Sequence, residues 1–401
     1  MTQLGGGPEL VAVFLRWSWW RAALHNGWWL VTSVYLVVDA GLSPSQLVLI
    51  GVVQGVIALL FEVPAGVFAD TLSRKWSLVV SHVLMGTAMI ATGLVTDFGL
   101  LVATQMLWGL SWTFASGADV AWITDELDEP ASIALVLMRS GRAQLTGAAA
   151  GLVGVGALGS LLERSTAMVL SGVAMLLLGL YVVLRAREQR FVRASARRWS
   201  ASWSILVRGS SLVRHNRAIL LVFAATFLVN GAWVASGRLW PRRLVDLGLP
   251  SDPVAWFTAL GFLTLLVGAA ALHVVGRAID DVGSALHGYA IACAAGGVGA
   301  ILLASAPEEV TGSAAVLLIA GIALPLTRII GTIWVNRQAG ADVRATVHSL
   351  LAQAEYVGEI SCGLAIAVLA GVAGLSPSLV ACAALFAITI VLIQAMPADE
   401  S

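Results

Sequence analysis

The chain has 401 residues, of which 59% are hydrophobic and only 11% charged. An ordinary soluble domain carries about 25% charged residues, so too few charges are present to cover a water-facing surface; a cytosolic enzyme, a nucleic-acid binder and a disordered chain are excluded. The 23 basic and 23 acidic residues balance, so no overall field selects an anionic partner.

A bilayer-crossing helix needs about 20 mostly apolar residues. Read at that length, the chain divides into twelve segments, at 15–38, 44–68, 76–96, 98–123, 133–161, 166–185, 217–241, 254–275, 285–305, 312–335, 345–372 and 377–396. The first is too long for a signal peptide and has no small-residue cleavage site, so it is expected to be a retained span. Most breaks carry turn chemistry: Gly41-Leu42-Ser43-Pro44, Thr96-Asp97, Pro250 to Pro253, Pro307-Glu308-Glu309 and Ser376-Pro377. The long polar stretch from Arg185 to Arg217 mixes Arg, Ser and Trp, and is expected to lie along the inner membrane surface as an amphipathic tether. The predicted fold class is therefore all-α membrane protein: a six-helix bundle over 1–185, a basic linker over 186–216 and a second six-helix bundle over 217–401.

Lys and Arg in short loops set orientation. With the N-terminus cytoplasmic, the inner side and its flanks hold 18 of the 23 basic residues, and the outer side keeps Arg164, Arg238, Arg242 and Arg243; Arg328 falls within a span. Both termini are expected inside, and the location is the plasma (inner) membrane. The acidic inner loop from Asp125 to Glu129 contributes little to this rule.

The halves resemble each other. Asn26-Gly27-Trp28-Trp29 matches Asn230-Gly231-Ala232-Trp233, Asp39-Ala40-Gly41-Leu42 matches Asp246-Leu247-Gly248-Leu249, and Trp122 aligns with Trp334. Gly66-x-x-x-Asp70 after span 2 aligns with Gly276-x-x-x-Asp280 after span 8. Matching loops fall on the same side, which makes this a parallel six-plus-six repeat, the architecture of a secondary transporter.

Gly66-Val-Phe-Ala-Asp70-Thr-Leu-Ser-Arg74-Lys75, preceded by Glu62-Val-Pro64-Ala65, resembles the loop 2–3 signature of the major facilitator superfamily. Gly66, Asp70, Arg74 and Lys75 match; Thr71 stands for the usual basic residue and Ser73 for the usual glycine. The second copy keeps Gly276, Asp280 and Gly283. The chemistry is readable without the family. Gly66 lets a helix approach closely, while Asp70 can cap the first N–H groups of span 3 or pair with Arg74, as a gating latch or a static brace. The details look like the drug-efflux branches.

Other patterns are excluded by their context. Gly154-Val-Gly156-Ala-Leu-Gly159 has the spacing of a dinucleotide loop but lies inside apolar span 5 with no strand before it, so it reads, with Gly147 and Gly151, as helix packing. The same span lacks the Gly-Pro ending of the antiporter signature. Arg74-Lys75-Trp76 is no phosphate-binding loop. Cys293, Cys362 and Cys382 sit singly in apolar runs and read as small hydrophobes. No cofactor, metal-ligand spacing or catalytic set is predicted.

Ionisable residues within spans usually face a cavity or a partner. At about 1.5 Å per residue from the cytoplasmic ends, Glu62, Asp119, Arg139 and Arg328 lie roughly 9–12 Å deep, and Arg142, Glu355 and Glu359 roughly 15–20 Å. Depth matching pairs Asp119 with Arg139, and Arg328 with Glu355. Glu355 and Glu359, four residues apart, share one helix face; two carboxylates in low dielectric resist being ionised together, so one is expected to hold a proton. They are the first candidates for proton coupling, with Asp119 and Glu62 in reserve; the rival role is to neutralise Arg142 and Arg328 as fixed braces. Spans 1, 4, 7 and 10 line the cavity in the family this chain resembles. Trp108, Trp112 and Asp119 fall within about 40° on span 4 at 100° per residue, and Asn26, Trp29 and Ser33 share a stripe on span 1, with Asn230 and Trp233 their counterparts on span 7. Such a lining suits an amphipathic or cationic substrate, or it is helix packing.

The expectation is a proton-coupled secondary transporter, functional as a monomer among membrane lipids, that exports hydrophobic drug-like molecules; its partners are substrate and protons, with no nucleic acid. The rivals are a nutrient symporter and a non-transporting membrane protein of the same fold.

Overall fold

A computed structural model describes residues 7–127, 130–193, 217–277, 282–338 and 344–395, and among these every regular element is helical. The helices are α1 Gly7–Val38, α2 Pro44–Thr71, α3 Arg74–Leu94, α4 Phe98–Ala115, α5 Ala118–Leu127, α6 Pro130–Leu161, α7 Arg164–Arg185, α8 Arg217–Leu247, α9 Pro253–Val275, α10 Val282–Ser305, α11 Glu309–Val316, α12 Leu324–Gln338, α13 Arg344–Val372 and α14 Leu375–Gln394. Eleven described stretches are long and apolar enough to cross a membrane. The Gly7–Val38 helix is not among them, its apolar run being diluted by Arg16, Arg21, His25 and Asn26.

Contacts divide the chain into two compact units, one of Met1–Ala40 with Leu60–Ser200, the other of Gly41–Leu59 with Ala201–Ser401. The first part of α2 thus packs with the second unit. In the first unit α1 packs chiefly on α6, and α3 on α7; in the second, α8 packs on α13, and α10 on α14. These are equivalent pairs of the repeat. The crossings are built alike. A Cβ on Gly27 would stand 2.4 Å from the Gly151 carbonyl oxygen, and one on Gly151 would stand 1.9 Å from that of Ala23. In the second unit, a Cβ on Gly231 would meet Cβ of Cys362 at 2.4 Å, and one on Gly358 the Phe227 oxygen at 2.1 Å. Only glycine lets backbones come this close, so Gly147, Gly151 and Gly27 act as packing residues. Gly154, by contrast, faces open space.

Helix ends follow the turn chemistry. Gly41 and Gly248, equivalent in the repeat, both take positive φ (62° and 82°) just past α1 and α8. Asp97 accepts from the Leu100 N–H at 3.0 Å, and Asp252 from those of Val254 and Ala255 at 2.9 and 3.3 Å. Two spans depart from the expected continuous helices. Span 4 breaks at Ser116-Gly117, where Gly117 has φ 72°. Span 10 passes through a π-helical stretch, Leu317–Ala323, between α11 and α12. Ser376-Pro377 is not a break but lies in the first turn of α14; the turn is at Gly374, with φ 89°. Residues 186–193 are irregular and the rest of the expected amphipathic tether lies outside the described residues. Burial of the Pro253–Val275 window is only 11%, so its apolar side chains face outward, as a lipid-facing surface requires.

Candidate functional site

The first unit contains an aromatic cluster. His25 stacks on Trp108 with ring centroids 5.5 Å apart and planes 18° off parallel, and lies 5.3 Å from Trp112. Trp29 approaches Trp108 at 5.1 Å, Trp28 at 6.4 Å, and Trp108 stacks with Trp112 at 6.0 Å. Arg21 continues the stack, its Cζ 5.3 Å from the Trp17 ring centroid and 5.0 Å from that of Trp112. The predicted Trp29, Trp108 and Trp112 are thus brought together. Arg21 and His25 were missed, though residues 21, 25, 28 and 29 have the spacing of one helix face. Asn26 and Ser33 turn back on their own helix, bonding the Ala22 and Leu30 oxygens at 2.8 and 2.7 Å. Buried Nε1 of Trp28 and Trp108 and Nδ1 of His25 have no hydrogen-bond partner among the described residues.

Asp119 reaches this cluster by a different route from the one expected. A continuous helix would have placed it in the Trp108–Trp112 stripe; instead the break at Gly117 restarts the helix, and Asp119 in its first turn lies 3.8 Å from Arg21. Its partner is Arg21 rather than Arg139, because that break reorients it toward α1. Arg139 and Arg142 are exposed. Glu62 accepts from the Ser116 hydroxyl at 2.9 Å, beside the same break.

The loop 2–3 motif is a clasp centred on Arg74. The Arg74 guanidinium lies 3.7 Å from Asp70, bonds the Ala121 oxygen at 2.7 Å and hydrogen-bonds Asp125. Asp70 pairs with Arg74, one of the two roles expected of it; the other was to cap α3. That role falls to Ser73, whose hydroxyl oxygen accepts from the Trp76 N–H at 3.0 Å, and to Glu188, which takes the Arg74 and Lys75 N–H groups at 2.8 and 3.0 Å and the Ser73 hydroxyl. Asp70 sits in the last turn of α2. Lys75 Nζ bonds the Val183 oxygen at 2.9 Å. The acidic loop, of small weight for topology, holds the clasp: Asp125 takes Arg74, and Glu126 accepts from the Gln189 and Arg190 N–H groups at 2.7 and 2.8 Å. Gly66 does not serve a close approach; nothing among the described residues lies within 4 Å of where its Cβ would stand. In the second copy Gly276 ends α9, its N–H donating to the Leu272 oxygen at 2.9 Å, and Asp280 lies outside the described residues.

The second unit contains a half-open cavity, about 450 Å³ counted to its open mouth, with polar lining from Asn230, Trp233, Thr327, Arg328, Thr332 and Glu355, among others. The Asn230 amide donates to the Glu355 backbone oxygen at 2.8 Å, tying α8 to α13 beside the Gly231–Gly358 crossing. Arg328 interacts electrostatically with Glu355 across this cavity. Glu359, one turn on, has a different partner: Arg238 acts on it, and its Cδ would lie 3.1 Å from a Cβ on Gly55 of α2. Arg238 also hydrogen-bonds Gln54. Arg238 was counted on the outer side, near the end of span 7; α8 runs on through Pro241 to Leu247. Its position eight residues from Asn230, on the same helix face, was the available signal. The two glutamates therefore answer to two different arginines, neither of them Arg142. Among the described residues no group of three His, Cys, Asp or Glu could hold a metal ion.

A profile of the Major Facilitator Superfamily matches residues 22–361. The uncharacterized MFS-type transporter YxaM of Bacillus subtilis (strain 168) is 23% identical over 358 residues, covering 88% of this chain and 87% of its own. A crystallised mutant of the nucleoside transporter NupG superposes with a TM-score of 0.81 at 13% identity, over 96% of this chain and 99% of that one. A POT family transporter in complex with 5-aminolevulinic acid gives a TM-score of 0.75 at 13% identity, over 98% of this chain and 96% of that one. At such identities the structural likeness speaks for the fold alone. The family profile spans most of the sequence and includes the Gly66-to-Lys75 clasp, and the chain belongs to the major facilitator superfamily.

Proposed function

We propose that this transporter is a proton-coupled exporter of amphipathic, hydrophobic molecules, working as a monomer in the inner membrane with twelve spans and both termini cytoplasmic. The observation that carries the reading is the division of labour between two carboxylates on one face of α13. Glu355 opens onto the polar cavity, where a proton and a substrate group contend for it, while Glu359 is engaged by Arg238 and Gln54 lies beside them. Competition for one carboxylate is the simplest route to exchange: arrival of substrate expels the proton, and arrival of a proton expels the substrate. A membrane potential contributes about 2.3 kcal/mol per charge per 100 mV, enough to drive the cycle. The aromatic stack of the first unit supports an apolar, planar substrate body, and the Arg74 clasp supports a gate that changes partners between states.

Everted vesicles test direction. With an imposed pH gradient, acid inside, an exporter accumulates lipophilic dyes and antibiotics, whereas a symporter does not. Glu355→Gln and Glu359→Gln, each reconstituted in liposomes, are expected to lose gradient-driven accumulation. Full gradient-driven transport by both variants would place the proton site elsewhere.

A further inference from the structure

The polar cavity has a neighbour. A second, half-open recess is walled by Val222, Ala225, Leu286, Ile330, Trp334 and Ile393, an apolar set, and Tyr289 and Gly331 line both cavities. They form the neck. A Cβ on Gly331 would stand 3.6 Å from Cε2 of Tyr289, in ordinary contact, so only a larger side chain would crowd the ring. Trp334 lines the apolar recess and is 5% exposed, and its buried Nε1 has no hydrogen-bond partner among the described residues. An indole N–H can only donate, so it calls for an acceptor on whatever enters.

The polar cavity is equally specific. Glu355 and Arg328 present opposite charges to one space. A simple cation would leave Arg328 unanswered, and a simple anion Glu355. The Thr327 and Thr332 hydroxyls already donate to the Ala323 and Arg328 oxygens at 2.8 and 2.9 Å. They can offer the cavity only lone pairs, which suits a donor such as an ammonium group.

We infer that the two cavities form one bipartite site for a zwitterionic amphiphile. Its ammonium lies at Glu355 and its anionic group at Arg328, and its apolar body, carrying an acceptor for Trp334, passes between Tyr289 and Gly331 into the second cavity. The inference rests on the export reading above and narrows its substrate class. It also explains the competition at Glu355, since the substrate's ammonium takes the place a proton would occupy.

The test uses the full-length protein in lipid nanodiscs, with no gradient, and p-benzoyl-L-phenylalanine as probe: a zwitterion with an apolar, photoreactive, carbonyl-bearing body. Its decarboxylated amine and its des-amino acid are the single-charge analogues. The zwitterion is expected to bind at least about tenfold more tightly than either, the scale of one lost charged hydrogen bond. Glu355→Gln should erase the advantage over the acid, and Arg328→Gln the advantage over the amine. Illumination should label the Ile330–Trp334 segment or Ile393 in the unmodified protein, which requires no variant to fold. Gly331→Val should weaken binding with both charges in place, whereas Gly331→Ala, in ordinary contact with Tyr289, should retain it. Absence of binding, equal binding of the three compounds, or labelling confined to other segments overturns the inference. The two readings fail separately. Dye accumulation in everted vesicles with no zwitterion preference removes only the bipartite site; zwitterion binding without gradient-driven flux removes only the export reading.

Discussion

Gly151→Ala and Gly154→Ala add the same methyl group to the same helix, three residues apart, with opposite expected results. A Cβ at 151 would lie 1.9 Å from the Ala23 oxygen and 2.5 Å from its carbonyl carbon; at 154 it meets nothing within 4 Å. Both substitutions gain the helix-propensity difference between glycine and alanine, about 1 kcal/mol. At 154 that gain stands alone, and stability should hold or rise. At 151 the obstacle is backbone, which cannot rotate aside. Ordinary contact begins near 3.4 Å, so α1 and α6 must part by about 1.5 Å along their closest approach. Overpacking of this kind costs about 1–3 kcal/mol, the separation expected between the two variants. The displaced helix also carries His25, Trp28 and Trp29, so transport should fall with stability. Unfolding titrations of the purified protein in mixed micelles, followed by near-UV circular dichroism, measure the difference. Coincident transitions for the two variants would refute the close crossing as the basis of the α1–α6 pairing.

Three further outcomes are expected. Asp70→Asn should change stability by less than about 1 kcal/mol, since the pair is partly exposed and Arg74 keeps Asp125 and the Ala121 oxygen; turnover should fall several-fold, and normal transport by well-expressed protein would reject the latch. Trp112→Ala removes a ring that is 39% exposed and lies beneath Arg21, so a competition panel should show altered substrate preference; unchanged affinity for every compound would make the stack packing only. Glu188→Ala strips the start of α3 of an acceptor for two N–H groups, which, with the favourable charge at a helix N-terminus, should lower stability by about 1 kcal/mol; an unchanged midpoint would show that Ser73 suffices.

Much of the architecture was legible because its signals are local. The asparagine-glycine pairs at 26–27 and 230–231 and the αL turns at Gly41 and Gly248 report the repeat without knowledge of a neighbour. Asp97 and Asp252 announce helix starts through donors two or three residues away. The Trp108–Trp112 stripe was readable from helical period alone, and the glycines of span 5 from the apolar run around them.

What resisted reading depends on partners far away in the chain. Asp125 and Glu188 looked like loop charges, yet they hold Arg74 and the first turn of α3 across 51 and 114 residues. Depth counting gave Asp119 the wrong arginine, because one glycine in αL conformation reoriented it toward Arg21. Arg238 was read only as an outer-side charge at the end of span 7, whereas the fold sets it beside Gln54 and Glu359. An apolar, repeated, all-helical chain with too few charges for water was readable from residues alone, since hydropathy and turn chemistry act over one or two helical turns. Which arginine answers each carboxylate, and that Tyr289 faces Gly331 where both line two cavities, emerged only from the packed helices. Ion pairing and cavity shape depend on where helices cross, and crossing geometry is set by close contacts such as Gly151 against Ala23, which no local pattern encodes.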